Sequence, residues 1–503
     1  MAVETELKLR IAPGQLARLK RHPLLKALQV SRPVMRRLHN IYFDTPLLDL
    51  HNAEMALRLR HIGKKWLQTL KGGGSVNAGL HLRNEWEVPV AGEALDLDAL
   101  EATGAMHLSP SVRKKLRPVF VTDFSRNTRM LDFEGAQIEL CMDSGEIRVG
   151  RSTRPISELE LELKAGEPVQ LFRLAQALLD VVPLEVEHIS KAEYGYRLFA
   201  HAQPVASKAA PLDLADCPDA ASALQAMIWS CLLHLQANVP GAVFKLGDEY
   251  LHQVRIALRR LRVVLGTAKT FRADDELAAL HADVAALCVG LGHAREWDVF
   301  AMQTLAPIRA RLPKDIGLRS VLIASEKLRE LHHAQVREAL QSQEFQRLLL
   351  RFGEWMHGDY WHAPPATRVP SLRDFADTIL QGYAKQVHKL GKLIDTADTG
   401  QLHALRIACK KLRYSAELFA SLYSSGKFTR YLSALASLQD TLGALNDIAV
   451  ARRLLDGLDN EARHEMLMLI RGWIEHDFSS RMAELHKAWK KFDGHEAFWD
   501  RGD

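Results

Sequence analysis

The sequence predicts an α+β protein of several domains, with its strands gathered in the first 200 residues and its helices after them. Residues 1–200 alternate apolar and polar over short runs, whereas from Asp219 onward apolar residues recur at every third or fourth position. In the helical part, one segment reappears 151 positions later. At 503 residues the chain is longer than one core usually holds, and roughly 150 residues per domain predict about three units. Apolar residues at 47 % and charged ones at 25 % exclude global disorder, a collagen-like fibre and a disulfide-rich mini-scaffold.

The period-two runs fall at 3–9, 56–60, 83–88, 119–124, 137–142 and 158–164, with turn signals between them, Gly72-Gly73-Gly74 included. Helices are expected at 13–29 and 168–182. Residues 201–218 read as a linker rich in proline and alanine, and 219–503 as helical. The uncharged stretch 220–244 spaces Leu224, Met227, Ile228, Cys231, Leu232 and Leu235 as one helix face. Its Gln225, His234, Gln236, Asn238 and Pro240 would be costly in a bilayer, so a buried-face helix is expected and no membrane span. The repeat sets His252-Gln-Val-Arg-Ile-Ala-Leu-Arg-Arg-Leu-Arg262 against His403-Ala-Leu-Arg-Ile-Ala-Cys-Lys-Lys-Leu-Arg413. At the same shift Leu291-Gly292 falls on Leu442-Gly443, Arg295 on Asn446 and Glu296 on Asp447. Two helical units are expected, at about 219–362 and 371–495, with the seam at 363–371.

The net charge of +5 divides as +3 before residue 200 and +2 after it, so neither half is a bulk basic arm and any anion site must be local. Five scattered cysteines without a CxxC pair suit a reducing compartment and argue against structural zinc. Glu4 and Glu6 stand where an export signal would be basic and then apolar, so a cytoplasmic location is expected.

Alternation puts Glu4, Glu6 and Lys8 on one strand face, opposite Thr5, Leu7 and Leu9. Glu158, Glu160, Glu162 and Lys164 share a face in the same way, as do Arg58 with Arg60, Arg83 with Glu85 and Glu87, and Glu139 with Cys141 and Asp143. One such strand would be an ordinary solvated face. Five of them suggest a barrel with a polar lumen, whose charges must be satisfied by ions. Glutamates suit a hard divalent cation, Mg²⁺ or Mn²⁺, and arginine and lysine suit phosphate oxygens. Both around one cavity make a phosphoryl-transfer site. No Gly-rich loop ending in GK[ST] is present, so side chains would hold the phosphate.

The opening Glu4-Thr-Glu6-Leu-Lys8 resembles the ExExK signature of the CYTH superfamily, the triphosphate tunnel metalloenzymes. Matches follow in order at Tyr42-Phe-Asp-Thr45, Leu57-Arg-Leu-Arg60, Thr69-Leu-Lys71, Glu85-Trp-Glu87, Thr122-Asp-Phe-Ser-Arg126, Asp143-Ser-Gly-Glu-Ile147, Glu158-Leu-Glu-Leu-Glu-Leu-Lys164 and Ser190-Lys191. The resemblance implies an eight-stranded antiparallel tunnel over residues 1–200 that hydrolyses a linear triphosphate with a divalent metal. It implies catalytic roles for Glu4, Glu6, Lys8, Arg58, Arg60, Lys71 and Arg126. Metal would fall to Glu4, Glu6, Glu139, Asp143, Glu158, Glu160 and Glu162. Substrate would be bound by Lys8, Arg58, Arg60, Lys71, Arg126 and Lys191, with Glu85 and Glu87 as further tunnel acids and Lys115 and Arg117 as contributors from a basic patch. Glu6→Ala or Glu160→Ala is expected to remove activity and leave the fold intact.

In the helical part, His252, Arg255, Arg259 and Arg262 fall within an arc of roughly 80°, as do His403, Arg406, Lys410 and Arg413. A recurring cationic stripe with few acids within a turn points to a polyanion. Nucleic acid is disfavoured, because no aromatic residues are interleaved for base stacking. His332 and His333 read as surface residues. The duplicated HxxRxxx[RK][RK]LR pattern, with Leu291-Gly-His-Ala-Arg-Glu-Trp-Asp298 and its partner 442–447, resembles the CHAD domain. That resemblance implies two pseudo-symmetric four-helix bundles and inorganic polyphosphate bound by His252, Arg255, Arg259, Arg260, Arg262, His403, Arg406, Lys410, Lys411 and Arg413. Tunnel followed by CHAD is similar to the order in bacterial inorganic triphosphatases.

The expected function is metal-dependent hydrolysis of tripolyphosphate to pyrophosphate and phosphate, in the cytoplasm, with polyphosphate granules as a candidate site of association. A thiamine triphosphatase, a class IV adenylate cyclase and a non-catalytic polyphosphate-binding scaffold are the alternatives.

Overall fold

The computed structural model describes residues 2–77, 79–105, 107–272, 274–361, 371–423, 426–459 and 463–500. It divides into two units, one made of Met1–Val205 with Gln341–Ala363 and one of Ala206–Leu340 with Pro364–Asp503.

The first unit holds nine strands: β1 (Ala2–Ile11), β2 (Val34–Asp44), β3 (Met55–Ile62), β4 (Lys65–Asn77), β5 (Leu80–Val90), β6 (Arg117–Phe133), β7 (Ala136–Val149), β8 (Ser152–Ala165) and β9 (Leu184–Val186). Their order is β5-β4-β3-β2-β6-β7-β8-β1-β9, and β5 also pairs with β1. Eight antiparallel strands thus close on themselves, and β9 continues the edge of β1 where β5 stops. The outward side is apolar. Leu7, Leu9, Leu159 and Leu161 form one core with Leu171, Leu174 and Leu178 of the helix Pro168–Leu179. Hydrophobic burial therefore holds the barrel from outside and leaves its charged faces to the lumen.

β2 and β4 are strands that the period-two runs did not include. The first four residues of β2 are exposed, which blurs its alternation. In β4 the glycine triplet that reads as a turn lies inside the strand, and the register against β5 shifts between Gly72 and Gly74. Gly74 sits at φ +111, and a Cβ there would come within 1.9 Å of the Leu82 carbonyl oxygen, so glycine makes a bulge here and not a turn. A further helix, Lys191–Phe199, follows the Ser190 N-cap and carries Lys191 in its first turn.

The helix Gln343–Met356 belongs to this first unit, although its position in the sequence suggests the first helical repeat. Leu350 joins the core of the Pro168–Leu179 helix, and Gly353 lets that helix approach, since a Cβ there would lie 2.0 Å from the Phe172 ring. Arg173 Nε donates to Glu354 at 2.8 Å, and the Val186 N–H of β9 donates to Gln346 Oε1 at 2.9 Å. Helical periodicity shows which face is buried but not what buries it. Most of the expected seam, 363–371, lies outside the described residues.

In the second unit the repeat extends to all four helices of each copy. Shifted by 151, Ala220–Val243, Asp248–Phe271, Asp275–Arg311 and Ile316–Gln341 fall on or beside Leu372–Gly391, Thr399–Leu418, Gly426–Asp456 and His464–Asp493. The two copies share a core, in which Leu318 and Val321 pack with Ile448, Leu467 and Ile470. The third helices differ. Gly426–Asp456 is continuous, while its counterpart breaks between Gly290 and Gly292 and passes through a π-helical turn, Phe300–Leu305. Asp275–Arg311 has the length and composition to cross a membrane, but Leu277, Leu280 and Val284 are fully buried in this unit. The uncharged helix Ala220–Val243 buries Leu224, Met227, Ile228, Cys231, Leu232 and Leu235 as its spacing predicts.

Candidate active site

A cavity of about 240 Å³ runs inside the barrel. Its walls carry Glu4, Glu6, Lys8, Arg58, Arg60, Lys71, Glu85, Glu87, Arg126, Glu139, Glu160, Glu162 and Lys191, all of them residues the sequence assigns to the site. Ion pairs connect them. Lys71 bridges Glu4 and Glu85, Lys8 bridges Glu6 at 2.8 Å and Glu160, and Arg126 reaches Asp143 at 2.6 Å as well as Glu160. From its helix Lys191 contacts Asp143 and Glu160 at 2.8 Å and also Glu158.

Charges this deep are stable only as a network, because desolvation penalises each of them singly. Burial raises the Glu6 carboxyl more than any single neighbour lowers it, but Lys8, Lys71 and His81 together bring the group down to about 2. Burial likewise opposes the charge of Lys8, yet Glu160 and Glu6 hold its ammonium above the ordinary range. Glu160, flanked by Lys191, Lys8 and Arg126, stays well below the usual carboxylate range despite its burial. Glu158 goes the other way, pushed up to about 7 by burial and the nearby Glu160 charge, against the pull of Lys191.

Two arginines have too few partners. Arg60 is lowered to about 10 by burial and by Arg58 and Arg126, and its Nε donates to Asn40 Oδ1 at 2.8 Å. Asn40 Nδ2 donates in turn to Thr122 Oγ1, which fixes the amide. Arg58 has a buried Nε with no hydrogen-bond partner. Such guanidinium groups suit an anion that supplies several acceptor oxygens.

Asp143 and Glu158 are buried at the edge of this network. With Glu160 they form a cluster whose ligand oxygens lie within 4.8 Å of one another, close enough for a cation. In this arrangement the Lys191 ammonium contacts all three. Lys115 and Arg117 are not brought to the lumen. Both are exposed, and the neighbouring Arg113 is spent on Asp98 and Glu101. The sequence reading also missed lumen residues. Arg83 and Lys164 share faces with Glu85 and Glu162 and were legible by alternation, as Phe124 was from Arg126, whereas Asn40 has no local signal.

The helical unit contains a second cavity, of about 890 Å³, and both cationic stripes line it. Arg255, Arg259 and Arg262 of one helix and Arg406, Lys410 and Lys411 of the other line it, with His252 and His403, and Arg295 and Arg453 add two more cations. Arg260 and Arg413 are not part of it. Arg260 is buried elsewhere, and Arg413 is tied to Glu417 at 2.7 Å and Gln439 at 3.2 Å. Burial and the charges of Arg259 and Arg406 pull Lys410 down to about 6, and burial with Arg259 lowers Arg255 to about 10. Buried Arg255 Nε and Nη1 and Arg406 Nε have no hydrogen-bond partner. His333, which reads as a surface residue, instead donates to the buried Asp298 at 2.8 Å, beside Arg329 at 2.9 Å.

Comparison with known proteins follows the same division. The CYTH domain model matches residues 2–196 and the CHAD domain model residues 226–456. An inorganic triphosphatase of Haemophilus influenzae is 33 % identical over 198 residues, a match spanning 39 % of this chain and 55 % of that relative, a little over half its length. The crystal structure of the CHAD domain from the plant Ricinus communis is 30 % identical with a TM-score of 0.52, over 59 % of this chain and 99 % of that one. With a closed lumen of charged strands before it and a duplicated helical unit behind, the chain carries a CYTH domain and belongs, through its second unit, to the CHAD domain family.

Proposed function

We propose that the barrel hydrolyses inorganic tripolyphosphate to pyrophosphate and phosphate with a divalent metal, Mg²⁺ or Mn²⁺, and that the helical unit binds inorganic polyphosphate, in the cytoplasm. The observation that carries this reading is the lumen itself, where eight cationic side chains and seven carboxylates face one small cavity. Cations alone would suit an anion, and carboxylates alone a metal. Both together suit a metal-bound polyphosphate. The name of the Haemophilus influenzae relative supports the same chemistry.

The carboxylates facing the lumen, Glu4, Glu6, Glu139, Glu160 and Glu162, offer only oxygen donors and fit a hard divalent ion. Such an ion, when bound, neutralises phosphate charge. The chain's own residues do the positioning. Arg58, Arg60, Lys71, Arg126 and Lys191 hold phosphate oxygens, and Lys8 leaves Glu6 as phosphate replaces the carboxylate as its partner. Asp143 and Glu158 keep Lys191 and Arg126 in place. Glu85 orients Arg58 and Lys71, from which it stands 3.4 and 3.6 Å away. The size of the cavity favours an inorganic substrate, since about 240 Å³ is below the 300–1,000 Å³ usual for organic ligands, thiamine triphosphate and nucleotides included.

Phosphate release from tripolyphosphate, thiamine triphosphate and ATP, each with and without Mg²⁺ or Mn²⁺, tests the proposal. Metal-dependent release from tripolyphosphate above the other two is expected. Cyclic AMP from ATP would instead identify a cyclase, and no release from any substrate would leave a scaffold.

A further inference from the structure

The helical cavity is built by two copies of one unit, and the copies have diverged where they face it. Arg255, Arg259, Arg262 and Arg295 come from the first copy. Its one acid at the cavity, Glu296, is already held by Arg453 at 2.5 Å. Among the described residues none of these four arginines has a carboxylate within 4.0 Å. The second copy presents Arg406, Lys410 and Lys411, and at the position equivalent to Arg295 it has Asn446. There His403 Nδ1–H donates to Asn446 Oδ1 at 2.9 Å, and Asp447 stands beside with no basic group within 4.0 Å among the described residues. The wall from the first copy thus carries four arginines without a carboxylate partner, and the wall from the second three basic groups, one of them Lys410 pulled down to about 6, and one acid. The chemistry differs as well, because four guanidinium forks can each take two phosphate oxygens while two of the three cations opposite are point-charge ammonium groups.

Resting on the polyphosphate reading above, we propose that this cavity is polarised: the wall of the first copy grips the polyanion, and Asn446 with Asp447 makes the opposite wall a weaker site from which a chain of phosphates is released. Duplication alone would give two equal grips. The exchange of one arginine for asparagine, next to a carboxylate with no basic partner, breaks that equality on one side only.

Calorimetric titration of the full-length protein with long-chain polyphosphate tests this, with thermal unfolding to show that each variant is folded. Arg255→Ala is expected to weaken binding about tenfold more than the equivalent Arg406→Ala. Arg295→Asn should weaken binding, and Asn446→Arg should tighten it. Equal losses from the two alanine variants, with no gain in Asn446→Arg while the wild type binds, would overturn the polarity and leave the polyphosphate reading standing. A wild-type protein that binds no polyphosphate would remove the reading beneath it.

Discussion

The two cavities hold the same number of arginine and lysine side chains and differ in what accompanies them. Eight cations in the barrel face seven carboxylates, while eight in the helical unit face two. In the barrel most charges have a partner of opposite sign within the protein, so Lys8 stays charged and Glu6 ionises more readily than usual. In the helical unit burial, and then the repulsion of Arg259 and Arg406, pulls Lys410 down to about 6. A matched set of charges can exchange partners with a metal and a phosphate together. An unmatched set can only wait for an anion.

The sharpest way to break this contrast is to remove the metal. Chelation with EDTA is expected to abolish hydrolysis in the barrel and leave polyphosphate binding by the helical unit unchanged. Loss of both would show that the helical cavity also depends on a cation. Salt separates them in the opposite sense. If six or more cations contact phosphate, raising salt from about 50 to about 200 mM should cost roughly a thousandfold in polyphosphate affinity. Hydrolysis at saturating substrate should change far less, and a salt-independent affinity would refute the cationic wall.

Single carboxylates come next. Glu6→Gln should lower kcat by about 10²- to 10³-fold and leave the melting temperature nearly unchanged. Glu160→Gln should lower kcat as much and also cost stability, about 3–5 kcal/mol, since Lys8, Arg126 and Lys191 all lose their shared partner. The sequence alone expects alanine at either position to leave the fold intact; the network separates the two positions, and equal melting temperatures for the two glutamine variants would contradict it.

The smallest effect is in pH. Lys410, lowered by burial, then by Arg259 and Arg406 and partly restored by Asp447, is neutral in the folded protein above about pH 6 and charged in the unfolded chain up to its ordinary 10.5. Between those values the unfolded state holds the extra proton, so this group makes stability rise with pH across that window. Bound polyphosphate is expected to bring the proton back. Binding near pH 8 should therefore take up protons and weaken as pH rises, and Lys410→Arg should flatten that dependence. Titration in buffers of different ionisation enthalpy measures the uptake.

Much of the barrel site was legible because alternation is a strict rule. Once Glu4, Glu6 and Lys8 share a face, their positions in the lumen follow from strand geometry. The rule has no hold on Lys115 and Arg117, read from a basic patch that precedes the strand or opens it, and it failed at β4, where three glycines carry no polarity to read. On the helices an angular stripe includes neighbours that turn away. Arg260 is buried although Lys411, its equivalent in the other copy, lines the cavity, and Arg413 is drawn off by Glu417 although Arg262 is not. Partners four residues away on the same helix can be read from a sequence. Partners on another element cannot, and they decide where Arg260, His333 and the Gln343–Met356 helix lie.

That last helix also sets an order of events. The chain passes between the two units three times, after residues 205, 340 and 363, so neither unit is one continuous stretch. Synthesis proceeds from the N-terminus, and the core behind β1 lacks Leu350 until most of the first helical copy has been made. The barrel's core therefore cannot be completed on the ribosome until residues 206–340 have been made, and after a protease cut at residue 205 the strands would keep the rest of the chain only through the packing of Leu350 and its helix.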